Sequence, residues 1–314
     1  LKDKPFTVKM MGGPDGDVAG NEILNLYNFY PDLVKIVAIT DVSGTVVDPS
    51  GLALTSLIVL FYAGKPISHY PAELLSEDGY MLLKNHEMPR IMTKNGSQVV
   101  SLERAQEISD HAVHEIEADI FIPAGGRPHS LDEHAIGHFL NAQKQPTAKA
   151  IIEGANVYLT QAARNVLEEK GVIIIRDSSA NKGGVISSSY EVLASLVLSE
   201  EEFVSLKEQI AREILQKIER CANQEALLIL DVHAKTKRAC SLISRDISDR
   251  ILDITDQILE WLVDKEFPDD VSDPIYKPFF AYCLPLLASS YADRLMVRVP
   301  DNHKKAIIAT YIAS

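Results

Sequence analysis

Two hydrophobic periods alternate along the first half of the chain. Short apolar runs at 6–11, 35–40, 119–122, 148–152 and 172–176 are bounded by polar, Gly or Pro residues, as strands buried on both faces are. Between them, 21–30, 51–63, 102–117, 131–142 and 159–170 have helical length. This alternation predicts a parallel sheet covered by helices, a doubly wound, Rossmann-like, mostly parallel α/β fold. Residues 64–101 contain Gly and Pro and show no clear period, so no element is assigned there. From Ser188 onward strand signals stop. Segments 200–222, 244–265 and 276–295 carry apolar residues at helical spacing; within 201–217, Phe203, Leu206, Ile210, Ile214 and Leu215 share one face. The expected organisation is a Rossmann-like domain over 1–190 and an α-helical region over 191–314.

Composition narrows the class of partner. Of 314 residues, 46% are hydrophobic and 24% charged, an ordinary globular balance. The net charge is −13 and no basic stretch is long enough to follow a phosphate backbone, which argues against nucleic acid. The longest apolar run, 51–64, is too short to cross a bilayer as a helix, and the N-terminus lacks a signal-peptide layout. No membrane partner is expected. Three widely spaced cysteines, Cys221, Cys240 and Cys283, suit neither a zinc site nor a disulfide framework, and are read as free thiols in a reducing cytoplasm. The chain starts at Leu1 just before a strand and stops while 306–314 still read as helix, so both ends are expected to be cuts.

The strongest local signal is Gly12-Gly13-Pro14-Asp15-Gly16-Asp17-Val18-Ala19-Gly20, which follows a strand and opens a helix. Glycines allow a tight turn and close backbone approach, and the helix N-terminus offers N–H groups to a pyrophosphate. The spacing departs from a strict G-x-G-x-x-G, and an ordinary Gly-rich turn is the competing reading. Asp41 lies just past the second strand, where an acid accepts hydrogen bonds from adenosine ribose and repels a 2′-phosphate, favouring NAD over NADP. A turn-capping Asp before Ser43-Gly44 is the lesser competing reading, and the two roles are compatible. Three more strands end in unusual loops: Pro123-Ala124-Gly125-Gly126-Arg127-Pro128, Glu153-Gly154-Ala155-Asn156, and Asp177 to Val185 with Asn181-Lys182-Gly183-Gly184. All would emerge at the carboxyl edge of one sheet, the ligand edge of open α/β folds. Arg127 reads equally as an anion ligand or a loop anchor.

Other candidates carry less. His111 and His114, or His129, His134 and His138, lack acidic or Cys partners at ligand spacing. They are read as solvated surface histidines, with no metal expected. Ser187, Ser188 and Ser189 have no nucleophile-elbow context and read as a helix start capped by hydroxyls.

Together, Gly-Gly-Pro-Asp-Gly-Asp at 12–17, Phe-Ile-Pro-Ala-Gly-Gly-Arg-Pro at 121–128, Glu-Gly-Ala-Asn at 153–156 and Ser-Ser-Ala-Asn-Lys-Gly-Gly-Val at 178–185 resemble glutamate dehydrogenases of the large-subunit, NAD-specific type. The resemblance covers roughly residues 5–200, and the C-terminal helices are similar to that type's extension. It implies Gly13, Gly16, Asp17, Val18 and Ala19 as the pyrophosphate turn, and Asp41 at the ribose. It implies Pro123 and Ala124 along the dinucleotide path, and Asn156 and Asn181 near the nicotinamide. Val185 and Ser188 would border the substrate, glutamate or 2-oxoglutarate, with Ser188 at its side-chain carboxylate. Lys182 replaces the Ala of smaller glutamate dehydrogenases. The family's catalytic Lys and Asp would lie upstream of residue 1, so no catalytic residue and little turnover are expected of this chain alone. A homo-oligomer is implied for the full-length enzyme. Two alternatives stand: another amino-acid dehydrogenase of the superfamily, or a non-catalytic NAD-binding or assembly module.

Overall fold

The computed structural model describes residues 4–84, 88–268 and 270–314. The chain forms two compact units, 1–181 with 239–241, and 182–238 with 242–314. They divide at 181/182, against the expected 190/191, because the helix from 183 buries Tyr190, Leu193, Ala194 and Val197 in the second unit's core.

Among its described residues the first unit is built on nine strands: β1 (Phe6–Met11), β2 (Val34–Thr40), β3 (Gly44–Val47), β4 (Tyr80–Leu83), β5 (Arg90–Thr93), β6 (Gly96–Val99), β7 (Ala118–Pro123), β8 (Ala148–Ile152) and β9 (Ile173–Ile175). They form one sheet in the order β6-β5-β4-β3-β2-β1-β7-β8-β9. The run β2-β1-β7-β8-β9 is parallel, and β3 to β6 continue it past β2 as an antiparallel meander. The winding direction reverses between β1 and β7, where Met11 pairs with Pro123. At such a switch point an open α/β sheet has a crevice beyond its carboxyl ends.

Alternation along β1 sorts the two cores. Val8 and Met10 pack with Ala19, Ile23 and Leu26 of α1 (Asp17–Phe29) and Leu57 and Leu60 of α2 (Leu54–Tyr62). The opposite core joins Ala105, Ile108, Ala112 and Val113 of α3 (Leu102–Glu115), Leu167 of α4 (Gln161–Glu169), Phe121 and Phe139. Lys9 enters that second layer fully buried. Its Nζ donates to the His114 and Ile116 carbonyls and to Thr147 Oγ1, satisfying acceptors at the end of α3. Burial holds its pKa well below the ordinary lysine value, against the opposing pull of Glu117. Side-chain caps at Ser101 and Thr160 start α3 and α4. A one-turn helix, α5 (Asp177–Ala180), follows β9.

The second unit is helical: α6 (Gly183–Val197), α7 (Glu200–Thr236), α8 (Cys240–Leu262, beginning in the first unit), α9 (Lys277–Tyr282), α10 (Pro285–Ser290), α11 (Ala292–Arg298) and α12 (Asp301–Ala313). A capping box of Ser199 and Glu202 starts α7. The helix runs on past the expected end at 222, since no Gly or Pro interrupts it. The single helix expected over 276–295 is broken instead: Pro285 lacks an N–H, and Leu284 before it is extended (ψ 140°). The helix expected at 131–142 is reduced to a 3-10 turn, Ala135–Phe139. His129 is left-handed (φ 58°), and the Asp132 carboxylate takes the N–H groups of His134 and Ala135. Among the described residues no helix is long and apolar enough to cross a membrane.

Candidate functional site

The end of β1 turns over Gly12, whose N–H bonds the Thr40 carbonyl at 2.7 Å. Gly12 adopts φ +109°, and a Cβ there would meet Ala19 Cβ at 2.8 Å and the Ala124 carbonyl carbon at 3.1 Å. Only glycine joins these three segments so closely. Gly16 is the N-cap of α1 and supplies no side-chain cap, so the first N–H groups of the helix keep their capacity for an anion. Asp17 and Val18 begin α1 exposed, and Ala19 is buried beneath them. Val18 leans on the β8 loop, where a Cβ on Gly154 would lie 3.1 Å from Val18 Cγ1.

Asp41 meets the turn from β2: a Cβ on Gly13 would lie 2.1 Å from Asp41 Oδ2. Asp41 Oδ1 accepts from Ser43 N at 2.7 Å, Ser43 Oγ at 2.6 Å and Gly44 N at 3.2 Å. The turn-capping role is therefore present. Asp41 Oδ2 accepts from Ile67 N at 2.8 Å, which docks the 64–70 loop against the same carboxylate.

The β7 and β8 loops complete the edge. Ala124 N donates to Met11 O at 2.8 Å and Ala155 N to Pro123 O at 2.7 Å. Asn181 Nδ2 donates to Asn156 Oδ1 at 3.0 Å, so these two sequence-selected residues touch. Beneath them Arg164 Nε and Nη2 reach the Glu153 carboxylate at 2.7 and 2.6 Å. The Glu153 side chain is 0% exposed and that of Arg164 4%. Burial raises the Glu153 pKa, opposed by its bonds and charge attraction to Arg164. Asp177 Oδ2 accepts from Val157 N at 2.8 Å and holds that β-branched residue at φ +53°. Burial disfavours the Asp177 charge, but N–H bonds from Val157 and Ser178 outweigh it and keep the pKa low.

All ten cofactor candidates thus lie in the first unit at the carboxyl edge of its sheet. Val185 and Ser188 sit exposed on α6, in the second unit. There Lys182 Nζ pairs with Glu225 Oε2 of α7 at 2.6 Å. Sequence reading missed Ile67, Arg164 and Asp177 as anchors. It also misplaced His114 on the surface. That ring is buried, with Nε2 2.9 Å from Tyr158 Oη, and burial, followed by the charges of Lys9, His111 and His138, lowers its pKa to about 3. Arg164 lies on the buried face of α4 with Ala163 and Leu167, and nothing in its sequence position marks that burial. Among the described residues no three His, Cys, Asp or Glu side chains are grouped to hold a metal ion.

The fold and its edge define a Rossmann-like α/β unit followed by a helical one. The family model for glutamate/leucine/phenylalanine/valine dehydrogenases matches residues 4–239, and the chain belongs to that family. It is 34% identical over 98% of its length to the probable NAD-specific glutamate dehydrogenase of Schizosaccharomyces pombe, and 33% identical over its whole length to the NAD-specific glutamate dehydrogenase of Neurospora crassa. It spans 28% and 30% of those two proteins. Plasmodium falciparum glutamate dehydrogenase 2, a solved structure, aligns over 82% of this chain and 47% of that one, with TM-score 0.49 and 17% identity.

Proposed function

We propose that the first unit binds NAD and serves an NAD-dependent glutamate dehydrogenase. In that reaction L-glutamate, water and NAD⁺ become 2-oxoglutarate, ammonium, NADH and a proton. The observation that carries the reading is the convergence of Gly13, Asp41, Ala124 and Gly154 at the β1/β7 switch point of a chain in this family. The residues fit a dinucleotide: side chains are absent where a Cβ would fill the cradle, and the uncapped start of α1 offers N–H donors to a pyrophosphate. NAD would supply the hydride acceptor.

This chain's residues would hold and orient it. Gly13, Gly16, Asp17, Val18 and Ala19 form the pyrophosphate turn, and Asp41 stands at the ribose. Pro123 and Ala124 line the path. The amide nitrogen of Asn156 and the amide oxygen of Asn181, outside their mutual bond, complement a carboxamide. Val185 and Ser188 are assigned to the substrate side, and no catalytic residue is assigned in this chain. The reading includes a homo-oligomer, supported by exposed apolar side chains such as Leu227 and Trp261 (68% and 61%). Calorimetric titration with NAD and NADP tests the central claim. Saturable NAD binding, tighter than NADP, is expected; binding of neither overturns it.

A further inference from the structure

Arg127 lies in the loop after β7, and other groups hold that loop. Ser130 Oγ donates to the Arg127 carbonyl at 2.6 Å, and His129 N donates to Val157 O at 2.8 Å. Gly126, at φ +102°, packs on Tyr158, where a Cβ would lie 2.8 Å from Cε2. Arg127 itself is exposed, and among the described residues its guanidinium has no hydrogen-bond or ion-pair partner. Its side chain is therefore not the loop's anchor, which leaves the other reading of its sequence position, an anion ligand.

Sheet order indicates which anion. Along the carboxyl edge the loops follow the strand order β2-β1-β7-β8: Asp41, then the glycine turn, then Arg127, then Asn156. A Cβ on Gly125 would lie 3.1 Å from Gly12 Cα, and one on Gly126 3.2 Å from Met11 Cγ, so the backbone leading into Arg127 lies against the turn. Arg127 thus neighbours the pyrophosphate turn on the side away from Asp41. The turn and its approach carry Asp15, Asp17 and Asp41, and a pyrophosphate arriving there meets like charge. The segments after the five parallel strands, 12–16, 41–43, 124–134, 153–160 and 176–182, hold three Lys or Arg: Arg127, Arg176 and Lys182. Arg176 lies 3.6 Å from an Asp177 oxygen and Lys182 2.6 Å from Glu225. Among the described residues, Arg127 is the one of the three that no acid engages.

We infer that Arg127 is a further cofactor-binding residue: it holds the pyrophosphate of NAD and supplies the positive charge that the acidic turn lacks. This rests on the reading of the edge as an NAD site, and it leaves Asp41 at the ribose. A guanidinium suits the task, because its planar fork donates to two phosphate oxygens at once. The start of α1 offers N–H groups and only a partial charge, which Asp17 in its first turn offsets.

The test is calorimetric titration of the wild-type chain, Arg127→Gln and Arg127→Lys with NAD and with ADP-ribose, which keeps the pyrophosphate and lacks nicotinamide. Each titration is run at low and at high salt, beside a thermal melt. Arg127→Gln is expected to weaken both ligands by about tenfold or more. It should also flatten the fall of NAD affinity with salt, since a screened charge pair has been removed. Its melting temperature should not move, because the Ser130, Val157 and Tyr158 contacts hold the loop. Arg127→Lys, which keeps the charge without the fork, should fall between. Unchanged NAD affinity in Arg127→Gln overturns the inference while leaving NAD binding intact. A loss for NAD alone also overturns it, by moving the guanidinium to the nicotinamide, and a lowered melting temperature returns Arg127 to the anchor role. Wild-type binding of neither ligand overturns the reading beneath it, before any variant is compared.

Discussion

Arg164→Met removes the guanidinium that bonds Glu153 under the β8 loop and lies 3.7 Å from an Asp177 oxygen. The exchange keeps a stem of similar length, so the packing of α4 is largely preserved and the missing guanidinium is the main change. Glu153 would remain 0% exposed without its two bonds of 2.7 and 2.6 Å. Breaking one side of a buried pair costs about 3–5 kcal/mol. At a urea m-value of about 2–3 kcal/mol/M, the midpoint should fall by roughly 1–2 M. Circular dichroism can follow that transition in the first unit, while Trp261, the single tryptophan, reports separately on the second. The pH dependence has a definite sign. Burial already raises the Glu153 pKa, and Arg164 opposes the rise; without Arg164 it climbs further. The folded state then binds the proton more tightly than the unfolded state does. The Glu153 contribution to stability should therefore be greatest below the ordinary carboxyl value of 4.5 and decline as pH rises towards the folded pKa. The deficit against wild type should shrink between pH 7.5 and 5. Pairing the exchange with Glu153→Leu should recover most of the loss, since an apolar pair leaves no buried charge. A midpoint shift under about 0.3 M, or a double variant no more stable than the single, would refute the reasoning.

Three further outcomes follow from single positions. Gly13→Ala puts a methyl 2.1 Å from an Asp41 oxygen already bonded to Ile67 N; it should destabilise by about 1–3 kcal/mol and weaken NAD by more than about tenfold in calorimetry, and an unaltered affinity would count against a close approach there. Val157→Gly relieves φ +53° at a residue 44% exposed; about 1–2 kcal/mol of left-handed strain against about 0.5–1 of glycine entropy predicts a higher melting temperature, and a fall would contradict it. The His114 pKa is lowered to about 3 from 6.5, so its stabilising contribution is fully present above pH 6.5 and is lost as pH falls towards 3. His114→Gln should flatten the fall in urea midpoint between pH 7 and 4.5, and parallel profiles would disprove the assignment.

The parallel strands were legible because each is a short, continuous apolar run closed by Gly, Pro or a charge. β3 to β6 were not. Gly44–Val47 and Tyr80–Leu83 are too short to show a period, and Gly96–Val99 is exposed throughout. The pairing of β3 with β4 spans more than thirty positions, and this sets their register where local composition does not. The glycine turn, the acid after β2 and the Asn pair were legible as types at strand ends. Their anchors were not: Ile67 N lies 26 residues from Asp41 and acts through its backbone, which carries no side-chain signature. Arg164 was hidden for another reason. A charged residue is ordinarily placed outside, and the acids that face it, Glu153 after β8 and Asp177 after β9, make its burial tolerable.

The same anchors bear on how a weak affinity would be interpreted. Tyr158 lies against Gly126 of the β7 loop, where a Cβ would meet Tyr158 Cε2 at 2.8 Å, and its hydroxyl reaches His114 of α3. The residue before it, Val157, is tied to Asp177 after β9. Glu153, four residues earlier, is tied to α4 through Arg164. The loops after β7, β8 and β9 are thus cross-linked to one another and to helices, and their backbones are ordered before any ligand arrives. Ordering loops on binding subtracts from affinity, and a preorganised edge avoids that loss. If NAD binds poorly, the cause would then lie in contacts this edge does not make rather than in disorder of the loops. Hydrogen exchange separates the two: Val157 N–H, bonded to a carboxylate that is itself held by Ser178 N, should exchange slowly without nucleotide if the edge is preformed, and fast exchange would return the deficit to loop ordering.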